Sequence, residues 1–529
     1  MKGKHGLLAL GALLIFSTTG LAQPKYELRA AWIASVEHID WPSQAATGNV
    51  ALQKQEFIDL LDMDQRNGLN AVVVQIRPTA DAFYPSPIEP WSVWLTGKQG
   101  TPPDPYYDPL AFMIEETHKR GMEFHAWINP YRALYNSRRD VAAPTHITRV
   151  HPEWFLVYDN TTLFNPGIPA VWDYVTSVIR YIVHHYDVDA IHFDDYFYPY
   201  KTKGEYFADD KAYQQYNRGL DKETWRRSNV DSLIVRVSQA IKQENPICKF
   251  GISPYGVWRN LALDPEGSDT HSAQTDYDDL YANILLWLQK GWIDYVCPQL
   301  YWERTHRVLP YDLLLDWWHA HTCGRQFFVG LGIYKAGTNP AWRNPRELPE
   351  QIALARLSSD GAVYFSNQNF IHNPLGWSDS LRDNFYKYPA LVPPMRWIDS
   401  VPPPTPLVAE VRSGDSLHIV LSGASAKPLR LFVVYRYLPG DTSTALDPEH
   451  IYKIIPAVRQ QGALSVPAER GVRLSGGLGM RESAELAAAP GDEGTHTRAA
   501  GAAGPDDERM RWVATAVSIT NLESAPAGL

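Results

Sequence analysis

Between residues 27 and 390 the chain repeats one unit eight times: a short apolar or β-branched run, a loop, then a stretch whose apolar residues recur at helical spacing. The strand-like runs fall at 27–35, 69–78, 122–131, 188–197, 249–256, 294–302, 326–334 and 361–369. Helical spacing is clearest where Val171, Val175, Val178, Ile179 and Ile182 share one face, and where Val230, Leu233, Ile234, Val237 and Ile241 share another. Further helices are expected near 51–66, 108–119, 276–290, 311–322, 346–358 and 376–388. Gly68, Gly121 and Gly291 fall just past such stretches, and Pro246 follows another. Eight alternating units predict an α/β fold of the (β/α)8 TIM-barrel kind. A doubly wound open sheet is the rival, and it is disfavoured by the count and by the lack of a Gly-rich phosphate loop after the first run.

At 529 residues the chain exceeds one ordinary core, and its texture changes after Pro389. We expect the barrel over 23–392, a stiff linker over 393–406 containing Val401-Pro-Pro-Pro-Thr-Pro406, and a small all-β sandwich over 407–529. Strands are expected at 416–421, 429–437 and 511–519. The tract at about 460–511, rich in Ala, Gly, Arg and Glu, has no hydrophobic period. It reads either as disorder or as an aberrant, frame-shifted translation.

Lys2 and Lys4, an apolar run over 7–16 and the small residues up to Ala22 read as a signal peptide occupying 1–22. The run is short of the ~20 residues that span a bilayer, and Gln23 rather than Cys follows the expected cut. Export without a membrane anchor, to the periplasm or the exterior, is the expectation. The formal charge of −10 and the lack of a basic patch argue against nucleic acid as a partner. Cys248, Cys297 and Cys323 are too few for a disulfide framework, although Cys323 could bridge to either of the others.

In a barrel, chemistry gathers at the C-terminal strand ends. Here those ends carry Gln75 and Arg77; Asn129, Tyr131 and Arg132; Asp194, Asp195 and Tyr196; Ser253 and Tyr255; Gln299, Tyr301, Trp302 and Glu303; Tyr334; and Ser366, Asn367 and Gln368. Rings beside neutral hydrogen-bonding groups suit sugars, which offer C–H faces and hydroxyls. The expected ligand is therefore a polysaccharide, with no cofactor and no metal. Alternation along the fourth run points Ile191 and Phe193 at the helices and His192 and Asp194 into the barrel. Asp195 has the opposite parity but lies where strand gives way to loop.

Two adjacent carboxyls hold different pKa values because each disfavours ionisation of the other, as acid/base work requires. The bland reading is that they tie loops together. Glu303 is the other carboxylate at a strand end, and Asp194 with Glu303 is a conceivable glycosidase pair. Against that, Glu303 with Arg304 reads equally as a surface ion pair. A metal at His192 and Asp194 lacks further ligands beyond His125. Ser253 has no nucleophile-elbow context or paired-histidine signal. Arg77 and Arg132 either grip an anionic group of the substrate or pair with Asp194 or Asp195. Trp32, Trp127, Tyr196, Tyr255, Tyr301 and Trp302 are candidate sugar platforms.

Seven motifs in order carry a resemblance. They are Arg29-Ala-Ala-Trp-Ile-Ala34 with Ile39-Asp-Trp-Pro42, Asn70-Ala-Val-Val-Val-Gln-Ile-Arg77, His125-Ala-Trp-Ile-Asn-Pro-Tyr-Arg132 and Asn165-Pro-Gly-Ile-Pro169. Phe193-Asp-Asp-Tyr-Phe-Tyr198, Ser253-Pro-Tyr-Gly-Val-Trp-Arg259 and Pro298-Gln-Leu-Tyr-Trp302 complete them. Over about 26–390 the chain resembles the glycosyl-hydrolase-like family 10 group of bacterial proteins, and the tail resembles their fibronectin type III-like domain. The resemblance implies a TIM barrel and a glycosidase, acting in characterised relatives on peptidoglycan strands stripped of peptide. The aspartates matching its motif are Asp194 and Asp195; Glu303 lies beyond the matching residues. An Asp-Asp pair after the fourth strand also looks like that of N-acetylhexosaminidases in which the substrate acetamide is the nucleophile. That implies one aspartate as acid and the other as acetamide partner. The reading from another class is a barrel that binds glycan without cleaving it; a different polysaccharide substrate is a third.

Overall fold

The computed structural model describes residues 23–413, 416–424, 426–458, 461–467 and 511–528; the expected leader and residues 468–510 lie outside them. All eight strand positions are occupied: β1 Leu28–Ile33, β2 Ala71–Arg77, β3 Glu123–Ile128, β4 Ala190–Phe193, β5 Lys249–Ile252, β6 Tyr295–Val296, β7 in two pieces, Gln326–Phe327 and Val329–Leu331, and β8 Gly361–Tyr364. Every neighbouring pair is parallel. The first piece of β7 pairs with β6 and the second with β8, so the sheet returns on itself as a TIM-like barrel.

Each strand is too short to be stable alone and is held by the helices outside it. Principal among these are α1 Val50–Arg66, α2 Pro109–Lys119, α3 Pro169–His185, α4 Lys222–Glu244, α5 Ile284–Gln289, α6 Tyr311–Ala320 and α7 Glu347–Ser358. The two apolar faces legible in α3 and α4 are buried in one shell with Ile191, Phe193 and Phe250. Asn49, Asp108 and Asp221 cap α1, α2 and α4 by accepting backbone N–H groups. Two expected helices are cut short. Of 276–290 only α5 is helical, because Tyr281 sits at φ 54° and Asp276 is bonded back to the β5 exit through Val257 O. Of 376–388 a helical run forms over Trp377–Ser380 and continues, more loosely wound, through Leu381–Phe385.

Inside the barrel the side chains form tiers. Glu123 and Lys249 (2.6 Å apart) form the floor. His125, Tyr295 and His192 fill the middle, Trp32 and Trp127 lie above, and small Ala30, Ala71 and Ala190 leave room lower down, level with Glu123 and His125. Gly251 makes room for Tyr295: a Cβ there would stand 1.9 Å from the ring. Burial lowers the pKa of both histidines, that of His192 well below the ordinary imidazole value and that of His125 against the opposing pull of Glu123.

The C-terminal region forms two small antiparallel sheets. One orders Leu407–Ser413, Ser416–Ser422 and Gln461–Pro467; the other orders Ile451–Pro456, Leu429–Tyr437, Arg511–Ser518 and Ala527–Gly528. Ile419 and Leu421 of the first share a core with Phe432, Val434 and Trp512 of the second. The strand Gln461–Pro467 corrects the expected disorder at its start, since it pairs along its length with Ser416–Ser422. The expected linker also begins differently: Met395 is buried, Pro393 O accepts from Gln326 and Trp397 Nε1 donates to Asp294, so these residues are fastened beneath the barrel. Arg430 pairs with Asp189 (2.5 Å), and Asn521 donates to Glu123 (2.9 Å), which docks the C-terminal sheets on the floor. All three cysteines are free; Cys248 and Cys297 are buried and Cys323 is exposed. Among the described residues no helix is long and apolar enough to cross a membrane.

Candidate active site

Strand β4 ends at Phe193, and the next two residues carry the acidic pair. Both are buried. Asp194 continues the inward parity of His192. Its Oδ2 accepts from Trp127 Nε1 (3.0 Å) and Asn129 Nδ2 (3.0 Å), and its Oδ1 from Tyr196 N (3.3 Å). Burial raises its pKa, while the nearby Arg132 charge and these three donors act in the opposite direction.

Asp195 does turn over the mouth. It accepts from the Tyr200 hydroxyl and from the Gln299 side chain. Burial, and then the Asp194 carboxylate beside it, push it up to about 7. The two acids therefore occupy unlike surroundings: one fixed by three donors, the other holding its proton to near neutrality.

A third acid was not singled out in the sequence. Asp276, wholly buried in the loop after β5, accepts from Tyr255 N (3.0 Å) through Oδ1, and its Oδ2 has no partner. Burial, then the Asp195 charge, raise it well above the ordinary carboxylate range. Its sequence context, Thr275-Asp-Tyr-Asp-Asp279, reads as a solvated acidic run at a helix start, which hid it. Tyr200 was equally overlooked at the end of an aromatic run.

Residues 27–344 match glycosyl hydrolase-like 10. The chain belongs to that family. It is 47% identical over 429 residues to glycosyl hydrolase YngK of Bacillus subtilis, covering 78% of this chain and 84% of the relative. To glycosyl hydrolase DigH of Escherichia coli K12 it is 38% identical over 379 residues, covering 66% and 85%. The glycoside hydrolase domain of PgaB (BpsB) from Bordetella bronchiseptica is 14% identical, with 68% of this chain and 99% of that domain covered at a TM-score of 0.41, a slight likeness. As a member of the glycosyl hydrolase-like 10 family the protein is a glycoside hydrolase.

The remaining expected site residues divide into two sets. Trp127, Asn129, Arg132, Tyr196 and Gln299 gather around the aspartates. Tyr255 packs edge-on to Tyr200 and Trp302, and Tyr301 against Tyr334 and Phe365, continuing the ring-lined rim. Arg77 does neither thing expected of it. It is wholly buried, grips Glu89 through Nε and Nη2 (2.6–3.0 Å) and donates to Asn129 O, so it braces the β3 exit from below. Gln75 is also buried, its Oε1 accepting from Ser35 N and Val36 N. Tyr131 is buried beneath the rim, and Trp32 donates to His192 Nε2 (3.3 Å).

Glu303 is half-buried past Trp302 and acts on Lys335, while Arg304 turns to Asp312 and Glu350; the expected Glu303–Arg304 pair is not formed. Ser253 does meet a histidine, with Oγ 3.0 Å from His192 Nε2. Because Trp32 Nε1 also donates to that nitrogen, the His192 proton sits on Nδ1, facing Tyr295 Oη at 2.8 Å. Both ring nitrogens are thus committed within the barrel, and neither faces Asp194.

Proposed function

We propose that this glycoside hydrolase is exported and cleaves N-acetylated cell-wall polysaccharide, specifically peptidoglycan glycan strands free of peptide, with the substrate's acetamido group as nucleophile. The observation that carries the reading is the unlike pair of buried carboxyls at the β4 exit. Asp195, protonated below about pH 7, gives its proton to the glycosidic oxygen as the C1–O bond breaks. The acetamide carbonyl oxygen bonds to C1 from the opposite face, forming a cyclic oxazolinium. Asp194, held by Trp127, Asn129 and Tyr196 N, accepts the acetamide N–H and balances the positive charge that develops there. A carboxylate has about four lone-pair sites, so three donors leave one for the substrate. Asp195, now ionised, takes a proton from the water that opens the ring, and configuration at C1 is retained.

No protein nucleophile is needed in this scheme, and Glu303 stands outside it. The leader-like sequence over 1–22 supports export, and the shared core of the two C-terminal sheets supports a fibronectin type III-like sandwich there. Incubating the protein with peptide-free glycan strands and weighing the released fragments tests the reading. Fragments should appear with the wild type and disappear with D194N and D195N. No release from acetamido strands, with release from another polysaccharide, would overturn the substrate assignment.

A further inference from the structure

Of the two arginines Arg77 and Arg132, only the first has a hydrogen-bonded counter-ion. The Arg77 guanidinium is closed off by Glu89 and Asn129 O. Arg132 is fixed in place by other means: its N–H donates to Asn129 Oδ1 (2.8 Å) and its Nε to Pro78 O (3.0 Å). Its two terminal nitrogens have no acceptor among the described residues, although the residue is only 9% exposed. A guanidinium held in place at its Nε, open at its tip and lacking a hydrogen-bonded counter-ion is ready to receive an anionic group of a ligand.

What it faces is a cleft of about 410 Å³ whose lining includes Tyr196, the residue after the Asp194–Asp195 pair, and Tyr200, which donates to Asp195. The guanidinium lies between the rings of Tyr135 and Tyr196, 5.6 and 5.5 Å from their centres. Those rings are 38% and 42% exposed. The far wall is the hairpin Phe155–Tyr158 and Thr161–Phe164, pinned where Thr202 N donates to the Tyr158 hydroxyl (2.8 Å). Asp159, at the rim, is turned to Thr202 Oγ1 (3.2 Å). Half-exposed rings on both sides of a fixed, under-bonded fork are suited to a sugar ring bearing a carboxylate.

We propose that this cleft is a subsite for a carboxylate-bearing sugar, with Arg132 taking the carboxylate and Tyr135 and Tyr196 stacking on the sugar. The inference rests on the reading of the substrate as an acetamido strand and names what selects it. In peptidoglycan the lactyl ether ends in a free carboxylate only where the peptide has been removed, and in an amide elsewhere. The subsite therefore reads the removal of peptide by charge.

The test uses the full chain on two substrates: peptide-free strands, and the same strands with their lactyl carboxyls converted to amides by carbodiimide coupling. Wild-type KM should rise about tenfold on the amidated strands, as expected for one lost charge-assisted contact. R132M should show the same KM on both, and R132K should keep part of the preference. Equal wild-type KM on the two substrates, or a preference that survives in R132M, overturns the subsite while leaving the glycosidase reading standing. If Arg132 serves only to balance Asp194, R132M alters the pH profile on both substrates alike and the wild type treats them alike, which also overturns it. Cleavage of neither substrate by the wild type removes the substrate reading and the subsite together. The substrate comparison is made on the wild type, so it stands even where R132M does not fold.

Discussion

Replacing Asp195 by asparagine should cut turnover by orders of magnitude and, at the same time, stabilise the protein in mild alkali. In the folded protein Asp195 holds its proton up to about 7, against 3.8 for a free side chain. Between those values the folded state binds a proton that the unfolded chain releases, so wild-type stability falls as pH rises from about 4 to about 7 and then levels. Roughly three units at about 1.4 kcal/mol each put the full cost near 4 kcal/mol. Sharing of that cost with Asp194 and Asp276 makes about 2–4 kcal/mol the expected difference. Asparagine has nothing to ionise and keeps an oxygen for the Tyr200 hydroxyl.

D195N and wild type should therefore differ by less than about 1 kcal/mol at pH 4 and by about 2–4 kcal/mol at pH 8, with the variant the more stable. Denaturant unfolding followed by tryptophan fluorescence at both pH values measures the difference. Turnover should fall about 10²–10⁴-fold, the usual worth of a general acid. A stability difference that does not change with pH, or that favours the wild type at pH 8, would show that Asp195 is ionised in the fold and is not the acid.

Wild-type turnover itself should decline as pH rises through about 7, as Asp195 loses its proton; a pH–rate profile reads this. Strands whose acetamides have been removed should be cleaved at least about a thousandfold more slowly, because the intramolecular nucleophile is gone; initial rates on matched strands decide this. G251A would drive a Cβ into the Tyr295 ring and should cost about 1–3 kcal/mol or prevent folding, read by thermal unfolding. R430A leaves Asp189 with His118 and the Phe124 N–H as its remaining partners under the barrel and should cost about 3–5 kcal/mol in denaturant unfolding, without changing the pH at which activity declines.

The sequence alone determined the ring of strands, because strand and helix periods are local properties that survive in a one-dimensional record. The inward face of His192 and Asp194 was legible for the same reason, since alternation along four residues of β4 fixes it. The tertiary structure alone decided which charges are spent. Arg77 and Arg132 look alike in sequence, yet one meets Glu89 and the other meets open cleft. Asp276 lies in a stretch expected to be helical, and it is buried because Tyr281 breaks that helix and the loop folds back onto Val257. Asp194 and Asp195 are neighbours with nearly the same local sequence; Trp127 and Asn129 from β3 and its exit hold one, and Tyr200 with Gln299 hold the other. A pKa depends on burial and on charges within a few ångströms, and most of those neighbours come from other strands of the ring, so it is the closing of the barrel that makes the two acids different.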